Sequence, residues 1–375
     1  MRFDFNPSLR SLFGENKIAE LGALARELGG RRVLLVSDAG LLRSEHVARA
    51  CTALQNTGIE VFLFTAVEEN PTSRTVENGV RFAQANQPID LIVALGGGSA
   101  MDCAKGINFL LTNGGKMEDY WGMGKASKPM LPSLGIPTTA GTGSEAQSYA
   151  LITHEHTHRK MACGDFKARF RTVILDPTLL TSVPQKVAAV TGLDAIAHAL
   201  ESYVCTRRNP ISQMFSREAW RLLEKNFEII LRTPENLEAQ GAMLLGAHLA
   251  GYAIENAMLG AAHACANPLT AQHGIVHGAA VGLMLPHVMR YNLAVAAHDY
   301  EELARVTGHK NADALLARFC ALLHAASLRT RLRDYGVEPT SLLELARAAT
   351  LEWTGTFNPR ALSETEFLQI YEAAF

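Results

Sequence analysis

Asp194 and His198 lie four residues apart in an apolar, alanine-containing stretch, residues 193–201. That composition reads as helix, and positions i and i+4 share one helix face, a turn apart. A carboxylate and an imidazole so placed can grip one cation. His263 and His277 follow in a second Gly- and Ala-rich block. One oxygen and three nitrogens make a donor set for a divalent metal such as iron, zinc or manganese. The spacing alone fits equally well a salt-bridged Asp–His pair and two unrelated histidines. In either case, buried ionisable groups on apolar helices need a partner.

Two glycine loops suggest what such a metal could serve. Gly96, Gly97, Gly98 and Ser99 directly follow the apolar run 91–95 and open a helical pattern. Glycines let a backbone approach a phosphate, and a helix N-terminus supplies free N–H donors. A tight strand-to-helix turn would use the same glycines. The second loop, residues 137–145, interleaves Thr138, Thr139, Thr142 and Ser144 with Gly141 and Gly143. Its hydroxyls can donate to phosphate or ribose oxygens, and two such loops together favour a nucleotide over a plain turn. Asp38 closes an earlier strand candidate. An acid there can hold a ribose hydroxyl or cap the next helix. It precedes the glycine loop, which is not the ordinary Rossmann order.

The elements that would carry these residues differ between the two halves. Apolar runs at 33–36, 61–64, 91–95, 132–137 and 172–175 read as strands, with helix-period stretches at 44–57 and 73–85 between the first three. This alternation predicts a parallel sheet with helices on both faces. From Pro184 onward the pattern is helix after helix, so the expected domains are 1–183 (α/β) and 184–375 (helical). The run 241–266 is expected to be one buried core helix. Glu224, Lys225 and Glu228 read as a solvated helix face. His154, His156 and His158 read as a hairpin tip in preference to a metal-binding strand face.

Composition excludes several classes. The 375 residues carry 35 Lys+Arg against 37 Asp+Glu, a formal charge of −2. That gives no electrostatic case for nucleic acid or an anionic membrane. The six cysteines form no Cys-x-x-Cys pair, which points to reduced thiols and a cytoplasmic protein. The N-terminal residues show no apolar leader, and no run is long enough to span a bilayer.

Residues Gly96 to Ser99 with Asp102 and Lys105, the 137–145 loop, Leu175-Asp176-Pro177, the 192–201 stretch, 260–263, His277-Gly278 and Asn358-Pro359-Arg360 appear in order. Together they resemble the iron-containing (group III) alcohol dehydrogenase family over nearly the whole chain. The resemblance implies a dehydroquinate synthase-like fold: a Rossmann-like α/β domain for NAD, a helical domain for Fe²⁺ (or Zn²⁺), and an active site in the cleft. It makes Asp194, His198, His263 and His277 the metal ligands. It places Asp38, Asn70, Gly97, Gly98, Ser99, Thr138, Thr139, Thr142 and Leu179 along the dinucleotide, and Lys160 near the nicotinamide ribose. The substrate would be a small neutral alcohol or aldehyde, with Gln147, Tyr149, Ile254 and Phe357 as pocket walls. A homodimer or larger assembly is implied.

One departure stands out. The family commonly carries a proton-relaying histidine where this chain has Asn267, and asparagine is no general base. His273 is the candidate to take over, with solvent as the alternative. Glu201, near His198, is a candidate partner for a ligand imidazole or a surface residue. A dehydroquinate synthase-like lyase and a non-catalytic nucleotide- and metal-binding protein remain the alternative functions.

Overall fold

A computed structural model describes Phe3 and residues 5–375. Residues 1, 2 and 4, part of the stretch searched for a leader, lie outside the described residues. The chain packs as two compact units. One comprises Asn6–Thr139 and Gly143–Val183. The other comprises Pro184–Phe375 together with Ala140–Thr142 and the N-terminal tip including Phe5. The excursion of Ala140–Thr142 into the helical unit left no mark in the hydrophobic pattern.

The first unit contains, in chain order, β1 (Arg10–Phe13), α1 (Leu21–Glu27), β2 (Arg32–Asp38), α2 (Glu45–Gln55), β3 (Glu60–Val67), α3 (Ser73–Ala85), β4 (Leu91–Gly96) and α4 (Gly98–Asn113). There follow β5 (Gly122–Met123), β6 (Ser133–Pro137), β7 (Tyr149–Thr153), β8 (Lys160–Gly164) and β9 (Thr172–Leu175). Six strands form an all-parallel sheet in the order β1-β9-β6-β4-β2-β3. Central strands of such sheets are covered on both faces and read as unbroken apolar runs; β4 is buried at every position. β3 pairs on one side of β2 and β4 on the other. The connections leaving the C-terminal ends of β2 and β4 therefore diverge, and a crevice at such a switch point is where parallel sheets bind ligands.

Two features escaped the sequence pattern. β1 is a short edge strand with mostly exposed side chains. β5, β8 and β7 form a separate small sheet. The turn joining β7 to β8 carries His154, His156 and His158, as expected of a hairpin tip, with His154 Nε2 3.1 Å from Glu118 Oε1.

The second unit comprises α5 (Gln185–Val204), α6 (Pro210–Arg232), α7 (Leu237–Asn256), α8 (Ala261–His273), α9 (His277–Val306), α10 (Ala312–Ala325), α11 (Leu342–Thr350) and α12 (Glu364–Ala374). Among the described residues no strand lies in this part of the chain, and no helix is long and apolar enough to cross a membrane. α6 starts on Pro210, with Asn209 Oδ1 accepting from the N–H groups of Ile211 and Ser212; proline fits a first helical position and asparagine a cap.

The single helix expected over 241–266 is two helices, broken at residues 257–260. An alanine-rich run buried all round carries no periodicity to mark an end; Asn256 and Gly260 were the available signals. Glu224 and Glu228 do not form a merely solvated face. Both accept from Arg318 on α10, at 2.6 Å each. Such long-range ion pairs carry no sequence signature.

Candidate metal centre and nucleotide loops

α5 is a core helix whose apolar neighbours Leu193, Ala195, Ile196, Ala197, Ala199 and Leu200 are fully buried. It holds Asp194 and His198 at 4% and 5% exposure. Three imidazoles surround one carboxylate oxygen. Asp194 Oδ1 lies 3.4 Å from His198 Nε2, 3.4 Å from His263 Nε2 and 3.8 Å from His277 Nε2. The His198 and His263 rings stack at 4.8 Å between centroids. Tetrahedral ligands with bonds of about 2.1 Å to one cation sit roughly 3.4 Å from each other. Asp194 Oδ1 and His263 Nε2 are buried without a hydrogen-bond partner, a costly state for polar atoms. A divalent cation would satisfy both, so the donor set fits a metal.

Electrostatics agree with that use. Burial opposes the Asp194 charge, yet His198, His263 and His277 together hold its carboxyl below the usual carboxylate range. Burial pushes the His198 imidazole down to about 4, leaving it neutral near pH 7. Burial also acts to lower His263, but the Glu201 and Asp194 carboxylates outweigh it and raise the imidazole to about 9. Without a cation, the cluster thus holds a proton where a metal would bind, and the two compete. The backbone of Gly141, at the tip of the second glycine loop, lies beside His198. A Cβ on Gly141 would come within 2.6 Å of Thr191 Cβ on α5, so only glycine fits that approach.

Glu201 is buried, not a surface residue. Its Oε2 pairs with His263 Nδ1, and its Oε1 accepts from the Ala262 N–H at 2.7 Å. The imidazole it holds is that of His263, 62 positions away, and not that of its own helix neighbour His198. Asn358 Oδ1 accepts from the Ala261 N–H at 3.3 Å. The start of α8 is therefore capped by two side chains distant in sequence, a role for Asn358 that local pattern could not show. Asn267 Nδ2 donates to Glu352 Oε2 at 2.7 Å. His273, proposed from the sequence as a relay, is the half-buried last residue of α8. It lies ten residues beyond His263, about 15 Å along the helix axis.

A second cluster, His298, Asp299 and Glu302, also gathers potential ligands. Arg208 pairs with Asp299 at 3.1 Å, and Tyr203 donates to Glu302, so those acids already have partners. Of the expected pocket walls, Phe357 packs on Cys205, Ala257 and Met258, with the Arg207 guanidinium 5.6 Å from its ring centre. A cation therefore does stand beside one wall residue, which sequence position alone did not indicate.

In the sheet unit, Gly96 ends β4 at φ 152°, where a side chain would also meet Ala100 Cβ at 2.7 Å. Gly97 precedes α4, which has no side-chain cap and no acid in its first turn. Its first N–H groups are consequently available to an anion. The Ser99 hydroxyl accepts from the Asn70 N–H at 3.2 Å, which joins two of the predicted residues, and Asn70 has φ 52°. Thr138 is buried and its N–H donates to Gly96 O at 2.9 Å; Thr139 stands 3.3 Å from where a Gly97 Cβ would be.

Asp38 serves as a cap and also faces the loop. Oδ1 accepts from the Leu41 N–H at 3.0 Å, while Oδ2 lies 3.4 Å from where a Gly96 Cβ would be. Leu179 is 0% exposed, backbone and side chain alike. Lys160 opens β8 opposite Thr153, half-buried. Thr142 falls in the segment that packs with the helical unit. A buried network supports this region. Lys105 Nζ donates to Ser144 O (2.7 Å), Ser144 Oγ (3.0 Å) and Tyr149 O (2.8 Å), and Ser144 Oγ donates to Asp102 Oδ1 at 2.6 Å.

A carboxylate ringed by three imidazoles on helices, and an uncapped glycine loop on a parallel sheet, are the features an oxidoreductase that uses a metal and a dinucleotide would need. The chain belongs to the iron-containing alcohol dehydrogenase family. The family's model, "Iron-containing alcohol dehydrogenase", matches residues 7–177, and the model of its C-terminal region matches residues 188–375. The chain is 33% identical to 1,3-propanediol dehydrogenase of Citrobacter freundii, over 100% of this chain and 99% of that one. It is 31% identical to lactaldehyde reductase of Escherichia coli (strain K12), over 97% of each. The crystal structure of a 1,3-propanediol oxidoreductase superposes with a TM-score of 0.96 at 33% identity, covering 100% of both chains. The family assignment makes this protein an enzyme of an iron-containing class; a similar solved structure, sulfoacetaldehyde reductase from Bifidobacterium kashiwanohense (28% identity, TM-score 0.92, covering 100% of this chain and 99% of that one), is a complex with NAD+.

Proposed function

We propose that Asp194, His198, His263 and His277 hold Fe²⁺ and that the protein interconverts a small neutral alcohol and its aldehyde with NAD(H). The observation that carries this is the placement of three Nε2 atoms around Asp194 Oδ1, with Oδ1 and His263 Nε2 buried and unsatisfied. When bound, the cation would supply Lewis-acid polarisation of an alcohol or carbonyl oxygen, and NAD(H) would supply the hydride chemistry.

The chain's own residues do the rest. Glu201 fixes the His263 ring. The open first turn of α4 receives the pyrophosphate, with Gly97 and Gly98 allowing close approach. Ser99, bonded to the Asn70 backbone, shapes that loop, and Thr138, Thr139 and Thr142 offer hydroxyls. Asp38 Oδ2 takes ribose hydroxyls and repels a 2′-phosphate, which favours NAD over NADP. Leu179 borders the dinucleotide. Lys160 binds the nicotinamide ribose, and His273 is the proposed proton carrier in place of Asn267. The similarity to relatives named for 1,3-propanediol and lactaldehyde supports short, hydroxyl-bearing substrates. We place the enzyme in the cytoplasm as a homodimer or larger assembly.

The test is NADH oxidation by anaerobically Fe²⁺-loaded protein with a panel of short aldehydes, beside His263→Ala. Turnover that disappears in the variant is expected. No turnover with any aldehyde, despite bound metal and NADH, overturns the proposal.

A further inference from the structure

The start of α8 brings three hydrogen-bond donors to one place. The N–H groups of Ala261 and Ala262 are first-turn donors with no partner inside the helix. The third is the Nδ1 side of the His263 ring, whose Nε2 points at Asp194 Oδ1, 3.4 Å away. Gly260, the residue before the helix, has no side chain to cap it. Two acceptors from elsewhere fill the gap: Asn358 Oδ1 on Ala261, and Glu201, whose two oxygens divide between Ala262 N–H and His263 Nδ1.

We infer that Glu201 is a positioning residue for the metal, setting affinity through His263, and that Gly260 is glycine to leave room for its carboxylate. The inference rests on the proposed four-residue centre and extends it to residues that donate nothing to the cation. A carboxylate is the one side-chain group of this size that offers an acceptor to each of two donors at once. With Nδ1–H donating to Glu201, the His263 proton is held on the side away from the cluster, and Nε2 presents its lone pair to a cation. The positive end of the α8 dipole favours the anion at the same spot. An orienting carboxylate of this kind typically contributes about 10- to 100-fold to metal affinity.

The steric side is equally specific. A Cβ at position 260 would come within 2.9 Å of Glu201 Oε1 and 3.1 Å of Asn358 Oδ1. The backbone there, φ −143° and ψ −149°, lies outside the positive-φ region that favours glycine. Gly260→Ala therefore displaces a carboxylate at the end of a flexible side chain and requires no positive φ of the alanine.

The experiment measures Fe²⁺ and Zn²⁺ affinity by chelator competition in the full-length protein and in Glu201→Gln, Gly260→Ala and Asn358→Ala, with NADH affinity as the check that each variant is folded. Glutamine keeps the volume but turns an N–H₂ toward one of the two donors. Glu201→Gln is expected to weaken metal binding by roughly 10- to 100-fold, and Gly260→Ala to weaken it in the same sense, with NADH binding unchanged. Asn358→Ala removes a cap without touching His263, so it should lower thermal stability while moving metal affinity by less than about threefold (~0.6 kcal/mol). Metal affinity unchanged in both Glu201→Gln and Gly260→Ala overturns the inference. So does an equal loss in Asn358→Ala, which would assign the effect to the helix end. If Glu201→Gln fails to fold, Gly260→Ala decides alone. A parent protein that binds neither metal removes the centre itself, and this inference with it.

Discussion

Asn267 Nδ2 donates to Glu352 Oε2 at 2.7 Å, from a position one turn beyond His263 on the same face of α8. The residue that stands where a relay histidine is common therefore ties the helix that carries His263 to the segment just before Trp353–Phe357. Asn267→Ala leaves a half-buried carboxylate without that donor. The expected loss is about 1–2 kcal/mol of stability, read as a lower urea midpoint at unchanged m-value. An unaltered midpoint would show that the pair contributes nothing.

Lys105 and Asp102 should behave as one unit. Lys105 is 2% exposed, and Ser144 bridges its ammonium to the Asp102 carboxylate. Removing one member of such a pair strands the other charge, at a cost of about 3 kcal/mol or more. Lys105→Met is expected to lower the melting temperature sharply and weaken NADH binding, because Lys105 also holds the carbonyl of Tyr149. Asp102→Asn combined with Lys105→Met should cost less than the sum of the single changes. Strict additivity in the double-mutant cycle would refute the coupling.

Coenzyme choice is predicted to sit on one oxygen of Asp38. Serine at this position retains an acceptor for the Leu41 N–H and removes the charge beside Gly96. Asp38→Ser should shift the NADH/NADPH ratio of kcat/KM toward NADPH by about tenfold or more, which corresponds to ~1.4 kcal/mol. A ratio that does not move would place the ribose elsewhere.

Metal removal should be visible without any substrate. A ligand that binds the native state alone, present at 100 times its Kd, adds about 2.7 kcal/mol. Chelated protein is therefore expected to melt several degrees below Fe²⁺- or Zn²⁺-loaded protein. His198→Ala should erase most of that gap. A metal-dependent shift preserved in full in the variant would argue that the cation sits elsewhere.

His287 supplies a pH dependence outside the metal cluster. Burial, helped by the charge of Arg290, pushes its imidazole down to about 4, against roughly 6.5 in an unfolded chain. Between those values the unfolded chain takes up a proton that the folded state refuses. Stability from this group is thus complete above about pH 6.5 and is lost as pH falls toward 4. His287→Gln should flatten the acid limb of a stability-versus-pH curve recorded on metal-loaded protein. Identical slopes for parent and variant between pH 7 and 5 would contradict this.

Much of this architecture was legible before any coordinates. The apolar runs of the central strands β2 and β4 could be read because strands buried on both faces have no polar alternation to confuse them; β3, at the sheet edge, was legible from its unbroken apolar run 61–64. Asp194 and His198 could be paired because one helix sets their spacing. The convergence of His263 and His277 on Asp194 was not derivable from spacing, since it depends on how α5, α8 and α9 pack; the family resemblance carried it. Edge strand β1 was missed because its exposed residues lack an apolar signature. The break at residues 257–260 was missed because an all-apolar helix hides its own end. Glu201 was half seen: its distance from His198 suggested a partner role, while its real partner, His263, lies 62 positions away.

The path of the main chain through Ala140–Thr142 bears on how this protein could be divided or recombined. Those three residues pack with the helices, and Gly141 is pressed against Thr191 too closely for any side chain. A cut at 183/184 would therefore leave the front piece carrying a plug with no socket and the rear piece a socket with no plug. Chimeras that exchange helical halves between relatives should keep residues 140–142 with the helices they came from, so the working modules are discontinuous in sequence.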